Sequence, residues 1–136
     1  MEYTDKEPEN MDDGWIGVDL DGTLAHYDQW RGIEHIGDPI EPMVDRVTQW
    51  LSNGRNVKIF TARLAVDDHL LGDVVQHIQE WCKKHIGRVL EVTNQKDSAM
   101  IELWDDRCIQ VQTNTGGLMT DIQYDEGYED GYDNGV

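Results

Sequence analysis

Residues 14–24 read Gly-Trp-Ile-Gly-Val-Asp-Leu-Asp-Gly-Thr-Leu. An apolar run (Trp15, Ile16, Val18 and Leu20) is interrupted and closed by two acids, Asp19 and Asp21, followed by Gly22 and Thr23. A strand that stops abruptly in carboxylates, with a glycine to turn the backbone, puts negative charge at the carboxyl edge of a sheet. That edge is where open α/β sheets bind ligands. Two such acids need partners, and the later strands of the chain end in them.

Working outward, residues 15–20 are apolar enough for a buried parallel strand. Residues 24–40 have no sustained period and carry two glycines and a proline, so they read as a long excursion over the sheet edge, or a small hairpin. The spacing of Met43, Val44, Val47, Trp50 and Leu51 predicts a helix over Glu41–Leu51, with Pro42 in its first turn and Asn53-Gly54 as its stop. Asn56–Phe60 is a second strand running into Thr61-Ala62-Arg63. Leu71, Val74, Val75, Ile78, Trp81 and Cys82 form the stripe of a second helix, from Asp68 or Asp73 to Lys84, with Lys83 and Lys84 favourably placed for the dipole. Val89–Thr93 and Ile101–Trp104 follow as strands, the latter ending in Asp105-Asp106-Arg107, and Ile109–Val111 is a short fifth. The order strand, helix, strand, helix, strand, strand predicts an α/β fold. The expected form is a Rossmann-like three-layer α/β/α sandwich, with a mainly parallel sheet and helices on both faces.

The 136 residues suffice for one domain, over 14–120, between an acidic arm (1–13) and an acidic tail (121–136). The arm carries −5 and the tail −6 of a net charge of −17, leaving −6 for the body. The tail repeats Tyr124-Asp125-Glu126-Gly127, Tyr128-Glu129-Asp130-Gly131 and Tyr132-Asp133-Asn134-Gly135, a low-complexity pattern read as disordered. This charge excludes non-specific binding to duplex DNA, which needs a basic face. The acidic start is no signal peptide and no run reaches membrane-spanning length, so no membrane role is expected. Cys82 and Cys108 lack metal-type spacing and read as buried small residues in a reducing, cytoplasmic setting.

Four strand ends thus offer polar groups: Asp19 and Asp21, Thr61 and Arg63, Lys96 beyond the third, and Asp105 and Asp106. In a parallel sheet they share one edge. Each suits phosphoryl transfer: a carboxylate as nucleophile, a second as proton donor and acceptor, acids from another strand around Mg²⁺, and a lysine and a hydroxyl on the phosphoryl oxygens. A calcium loop fits poorly, because Gly22 stands fourth where an EF-hand needs it sixth. A phosphoacceptor receiver domain fits poorly too, because its acidic pair comes first in the chain.

These residues resemble the four motifs of the haloacid dehalogenase (HAD) superfamily of phosphohydrolases. Asp19-Leu20-Asp21-Gly22-Thr23 matches the first, Val57–Thr61 the second, Lys96 the third and Asp105-Asp106 the fourth, over about residues 14–112. The resemblance implies Asp19 as nucleophile and Asp21 as general acid and base. It implies Mg²⁺ on the Asp19 carboxylate, the Asp21 carbonyl and one of the Asp105-Asp106 pair, with Asp105 favoured. It implies Thr61 and Lys96 on the phosphoryl group. Thr-Ala-Arg, Asp-Asp-Arg and residues 38–43 (DPIEPM) are similar to the phosphatase domain of bacteriophage-type polynucleotide kinase-phosphatases, and the first two also to cytosolic deoxyribonucleotidases. That implies a nucleotide, a single-stranded nucleic-acid end or another small phosphomonoester as substrate.

The gaps from Thr23 to Thr61 and from Thr61 to Lys96 are filled by helix and strand, so no cap domain is expected, and the mouth falls to residues 24–40, the tail or a second subunit of a homo-oligomer. Gly22 and Thr23 complete the candidate substrate site with Arg63, Arg107, Tyr27 and Trp30. Arg63 and Arg107 either contact substrate or neutralise a crowded acidic edge. Tyr27 and Trp30, with His26, Arg31 and His35 beside them, either stack on a base or pack the excursion onto the body. The alternative to an enzyme is a catalytically silent module that binds a partner through its acidic ends.

Overall fold

The computed structural model describes residues 13–121. The acidic arm before Asp13 and the repeated tail lie outside the described residues. The chain divides into two compact units, one ending at Asp106 and the other starting at Arg107.

The first unit holds β1 (Trp15–Val18), α1 (Glu41–Ser52), β2 (Asn56–Phe60), α2 (Asp68–His85), β3 (Glu91–Thr93) and β4 (Met100–Trp104). The four strands make one sheet in the order β3-β2-β1-β4, every pair parallel. β1 is central and buried along all four residues, as its unbroken apolar run requires. It is shorter than its apolar run because the Leu20 carbonyl leaves the ladder to accept from Leu24 N at 3.0 Å and Ala25 N at 2.8 Å. β3 begins two residues later than its apolar run, and Leu90 is buried in the core.

Register decides the faces. Ile16 lies beside Val57, and Val18 beside Ile59 and Trp104. That face packs with Met43, Val44 and Val47 of α1 and Val74, Ile78 and Cys82 of α2 in one core. Each such aliphatic side chain gains about 1.5–3 kcal/mol by burial. Trp50 of α1 packs on Trp104, rings 5.2 Å apart. α1 starts at Glu41 with Pro42 in its first turn, and ends at Ser52, just before Gly54 takes a φ of +82°.

The α/β class and the parallel sheet are as the sequence predicts; the distribution of helices differs. Both helical connections step the same way, β1 to β2 to β3, and right-handed crossovers in one direction put both helices on one face. The return from β3 to β4 passes two strands in residues 94–99, too short a stretch to form a covering helix. This stretch crosses the other face, beside Trp15, whose indole Nε1 donates to Asp97 Oδ1 at 2.9 Å and whose backbone N donates to Ala99 O at 3.0 Å. Lys58 lies 4.5 Å above the same indole. No helix or strand is inserted within residues 24–40, and none of the described helices is long and apolar enough to cross a membrane.

In the second unit the expected strand over 109–111 is reduced to one antiparallel bridge, Val111 to Leu118. Asn114 at a φ of 67° and Gly116 at 80° turn the chain too tightly for a longer ladder. Cys82 is buried as expected, whereas Cys108 is exposed, because its hairpin supplies no core.

Candidate functional site

The turn after β1 builds the first half of the site. Asp19 N donates to Trp104 O at 2.9 Å, which carries the β1–β4 pairing one residue past the strand and sets Asp19 beside the acids that follow β4. Gly22 N donates to Ala25 O at 2.8 Å, with φ at +92°. A Cβ there would also stand 2.6 Å from Asp106 Oδ2. Glycine is therefore required both for the backbone and for the approach of Asp106.

Carboxylate oxygens of Asp19, Asp105 and Asp106 all lie within 4.8 Å of one another. Thr23 Oγ1 ties the group together: it accepts from Asp106 N at 3.0 Å and lies 3.2 Å from Asp106 Oδ1 and 3.4 Å from Asp19 Oδ2. One hydroxyl proton serves only one of those carboxylates at a time. Burial, a hydrogen bond shared with Asp106, and the charges of Asp105, Asp106 and Asp21 push the Asp19 carboxyl up to about 7. Three carboxylate oxygens brought this close are a donor set a hard divalent cation takes. The group can hold a metal ion.

The second half is built around Arg63, which is only 7% exposed. Its Nε donates to Asp21 Oδ2 at 2.8 Å and its Nη2 to Asp21 Oδ1 at 2.9 Å. The same Nη2 donates to the His35 carbonyl at 2.9 Å, and the guanidinium lies 4.9 Å from the Trp30 ring centroid. Nη1 is buried without a hydrogen-bond partner. The side chain of Asp21 thus points to Arg63 and is not one of the three clustered carboxylates. Thr61, buried after β2, accepts from Arg63 N through its hydroxyl and caps the short 3₁₀ turn Ala62–Leu64.

The excursion is closed at its base by bonds from His26 N to Asp38 O and from Ile40 N to Leu24 O, both 2.8 Å. Trp81 Nε1 of α2 donates to Gly37 O at 2.9 Å, and Arg63 holds His35. Tyr27 and Trp30 are exposed on it, at 40% and 52%. Lys96 is exposed in the crossing stretch, next to the Asp97 that binds Trp15. Arg107 belongs to the second unit and is exposed. The structure therefore gathers Asp19, Gly22, Thr23, Asp105 and Asp106 in one group, and Asp21, Thr61, Arg63 and Trp30 in a second, adjoining through Leu20. His35, read from the sequence for its side chain, acts through its carbonyl, which accepts from Arg63 Nη2; no side-chain pattern marks a backbone acceptor.

No family model matches the chain, and no curated protein does. Among solved structures, a conserved protein from Bacteroides thetaiotaomicron is similar, at 20% identity and a TM-score of 0.47, over 77% of this chain and 80% of that one. That likeness is too distant to carry an argument. What stands on the chain's own geometry is a parallel α/β sheet whose carboxyl edge bears an acidic group able to hold a metal ion.

Proposed function

We propose that the chain is a Mg²⁺-dependent phosphomonoester hydrolase of the HAD type, working through an aspartyl-phosphate on Asp19. The observation that carries this reading is the convergence of Asp19 with Asp105 and Asp106 at the carboxyl edge of the sheet. In this reading an Asp19 oxygen attacks phosphorus, the bond to the leaving oxygen breaks, and Asp21 supplies the proton that oxygen needs. Water then attacks the same phosphorus, Asp21 takes its proton, and phosphate leaves with Asp19 restored. Asp19, Asp105 and Asp106 would hold Mg²⁺, with the Asp21 carbonyl as a further donor; the ion supplies charge neutralisation for the phosphoryl oxygens. Thr61 and Lys96 bind those oxygens. The substrates are nucleotides, single-stranded nucleic-acid ends or other small phosphomonoesters.

Two observations favour a second reading. Both oxygens of Asp21 are engaged by a buried guanidinium, and the crossing stretch sets the exposed Lys96 next to Asp97. A catalytically silent module with a retained cation site has the same features. A panel of deoxynucleotides, 3′-phosphorylated oligonucleotides and sugar phosphates, assayed with Mg²⁺ and with EDTA, separates the two. The enzyme reading expects turnover that EDTA and Asp19→Asn each abolish. Mg²⁺ binding with no turnover on any substrate, beside a partner pull-down that depends on the acidic tail, favours the module.

A further inference from the structure

We infer that Trp30 is the recognition platform for the leaving group, and that the substrate class is a phosphomonoester whose leaving group carries a planar aromatic ring, such as a nucleoside. The inference rests on the phosphatase reading and narrows it. Trp30 is a large apolar ring left 52% exposed on an excursion that is otherwise tied down. Its position is not that of a loose surface aromatic. The Arg63 guanidinium lies 4.9 Å from the ring centroid, and that guanidinium is itself fixed by two bonds to Asp21 and one to His35 O. His35 belongs to the same excursion, so Arg63 holds both the ring and the backbone five residues beyond it.

A guanidinium stacked on an indole gains cation–π attraction while keeping its in-plane donors for Asp21. The arrangement orients the ring before any ligand arrives, which lowers the ordering cost of binding. The platform is linked to the proposed nucleophile through one guanidinium and one carboxylate, since Asp21 follows Asp19 by two residues. In the phosphatase reading Asp21 protonates the leaving oxygen, and Asp21 is the carboxylate Arg63 holds, so the leaving group would lie towards Arg63 and Trp30. Aromatic bases stack on such rings without regard to their hydrogen-bonding edges, so the platform selects for a flat ring and not for one base. Arg63 is here a positioning residue: it acts through Trp30 and Asp21.

The test is equilibrium binding to the Asp19→Asn protein in Mg²⁺, by calorimetry, of adenosine 5′-monophosphate, adenosine 3′-monophosphate and ribose 5-phosphate. At least one nucleotide is expected to bind roughly 10- to 100-fold more tightly than the sugar phosphate, the range that stacking of one base supplies. Adding Trp30→Ala should collapse that ratio towards one, and Trp30→Phe should keep most of it. Arg63→Lys, which retains charge but not the planar fork, should reduce the ratio, and in the active protein should raise KM for a nucleotide more than it lowers kcat. Equal affinity for nucleotide and sugar phosphate, or a preference that survives Trp30→Ala, overturns the inference. The phosphatase reading is judged separately by turnover of the unsubstituted protein. A nucleotide preference without turnover would refute that reading and leave the platform standing.

Discussion

Arg63 grips both carboxylate oxygens of Asp21, 42 residues earlier in the chain, at 2.8 and 2.9 Å. The guanidinium is buried and the carboxylate only partly exposed, so neither charge has water in full supply. Pairs of this kind are costly to halve, because the survivor is left without its counter-charge. Arg63→Met should therefore destabilise the protein by about 3 kcal/mol, and Arg63→Met with Asp21→Asn by less than the sum of the two single changes. Urea denaturation of the four proteins measures the coupling; a value near zero would mean that the pair is idle.

The Asp19 carboxyl, pushed up to about 7, sets the sign of a pH effect. Its folded value lies above the ordinary 3.8, so as pH rises the unfolded chain gives up the proton first. Metal-free protein should lose stability between about pH 4 and pH 7 and level off above, by about 2 kcal/mol after allowance for solvent screening at a partly accessible site. The comparison is with Asp19→Asn, which should lack this component while keeping the background from the other acids. Mg²⁺ competes with the same proton, so its affinity should fall as pH drops below 7. Denaturation in EDTA over pH 4–8 is the measurement; a variant curve parallel to the parent's removes Asp19 as the cause.

Gly22 meets two demands at once, a φ of +92° and the carboxylate of Asp106. Gly22→Ala should cost about 1–3 kcal/mol in stability. It should also weaken Mg²⁺ binding at least tenfold, since the new methyl occupies the ground of Asp106. Calorimetric titration with Mg²⁺ checks this; unaltered affinity would detach Asp106 from the cation site.

On the opposite face, Asp97 Oδ1 accepts from Trp15 Nε1 and Ala99 N, each at 2.9 Å. The Trp15 bond holds the Asp97 carboxyl below the usual carboxylate range. Asp97→Ala should cost about 2 kcal/mol by leaving the indole donor without its acceptor, and Asp97→Asn should recover most of it. With its folded value lowered, the ionised Asp97 contributes stability that is present above about pH 4 and lost as pH falls through the folded value. The difference between parent and Asp97→Asn over pH 2–6 reports it.

The elements were legible where periodicity was strong. The NVKIF strand appears over Asn56–Phe60, and the stripe from Leu71 to Cys82 becomes α2, with Asp68 as its start. The face on which the helices lie was not legible, because it depends on the direction in which successive strands are added and not on any one residue. The acids were legible as strand ends, and the acidic cluster follows once β4 sits beside β1. The Arg63–Asp21 pair was not, since residues 42 apart meet only through the β1–β2 pairing. Lys96 was placed by order alone, and order could not tell whether a helix or a bare crossing would carry it.

The central place of β1 also fixes when the site comes into being. Its first acid is made early in synthesis, yet Asp105 and Asp106 arrive with β4, the last strand of the sheet and a distant partner in sequence. A chain that reaches past residue 19 but stops short of residue 105 holds the first acid without the other two of the cluster. A cation bound by this cluster would therefore mark a finished sheet, and would stabilise the complete fold while giving nothing to a chain that has not yet added β4.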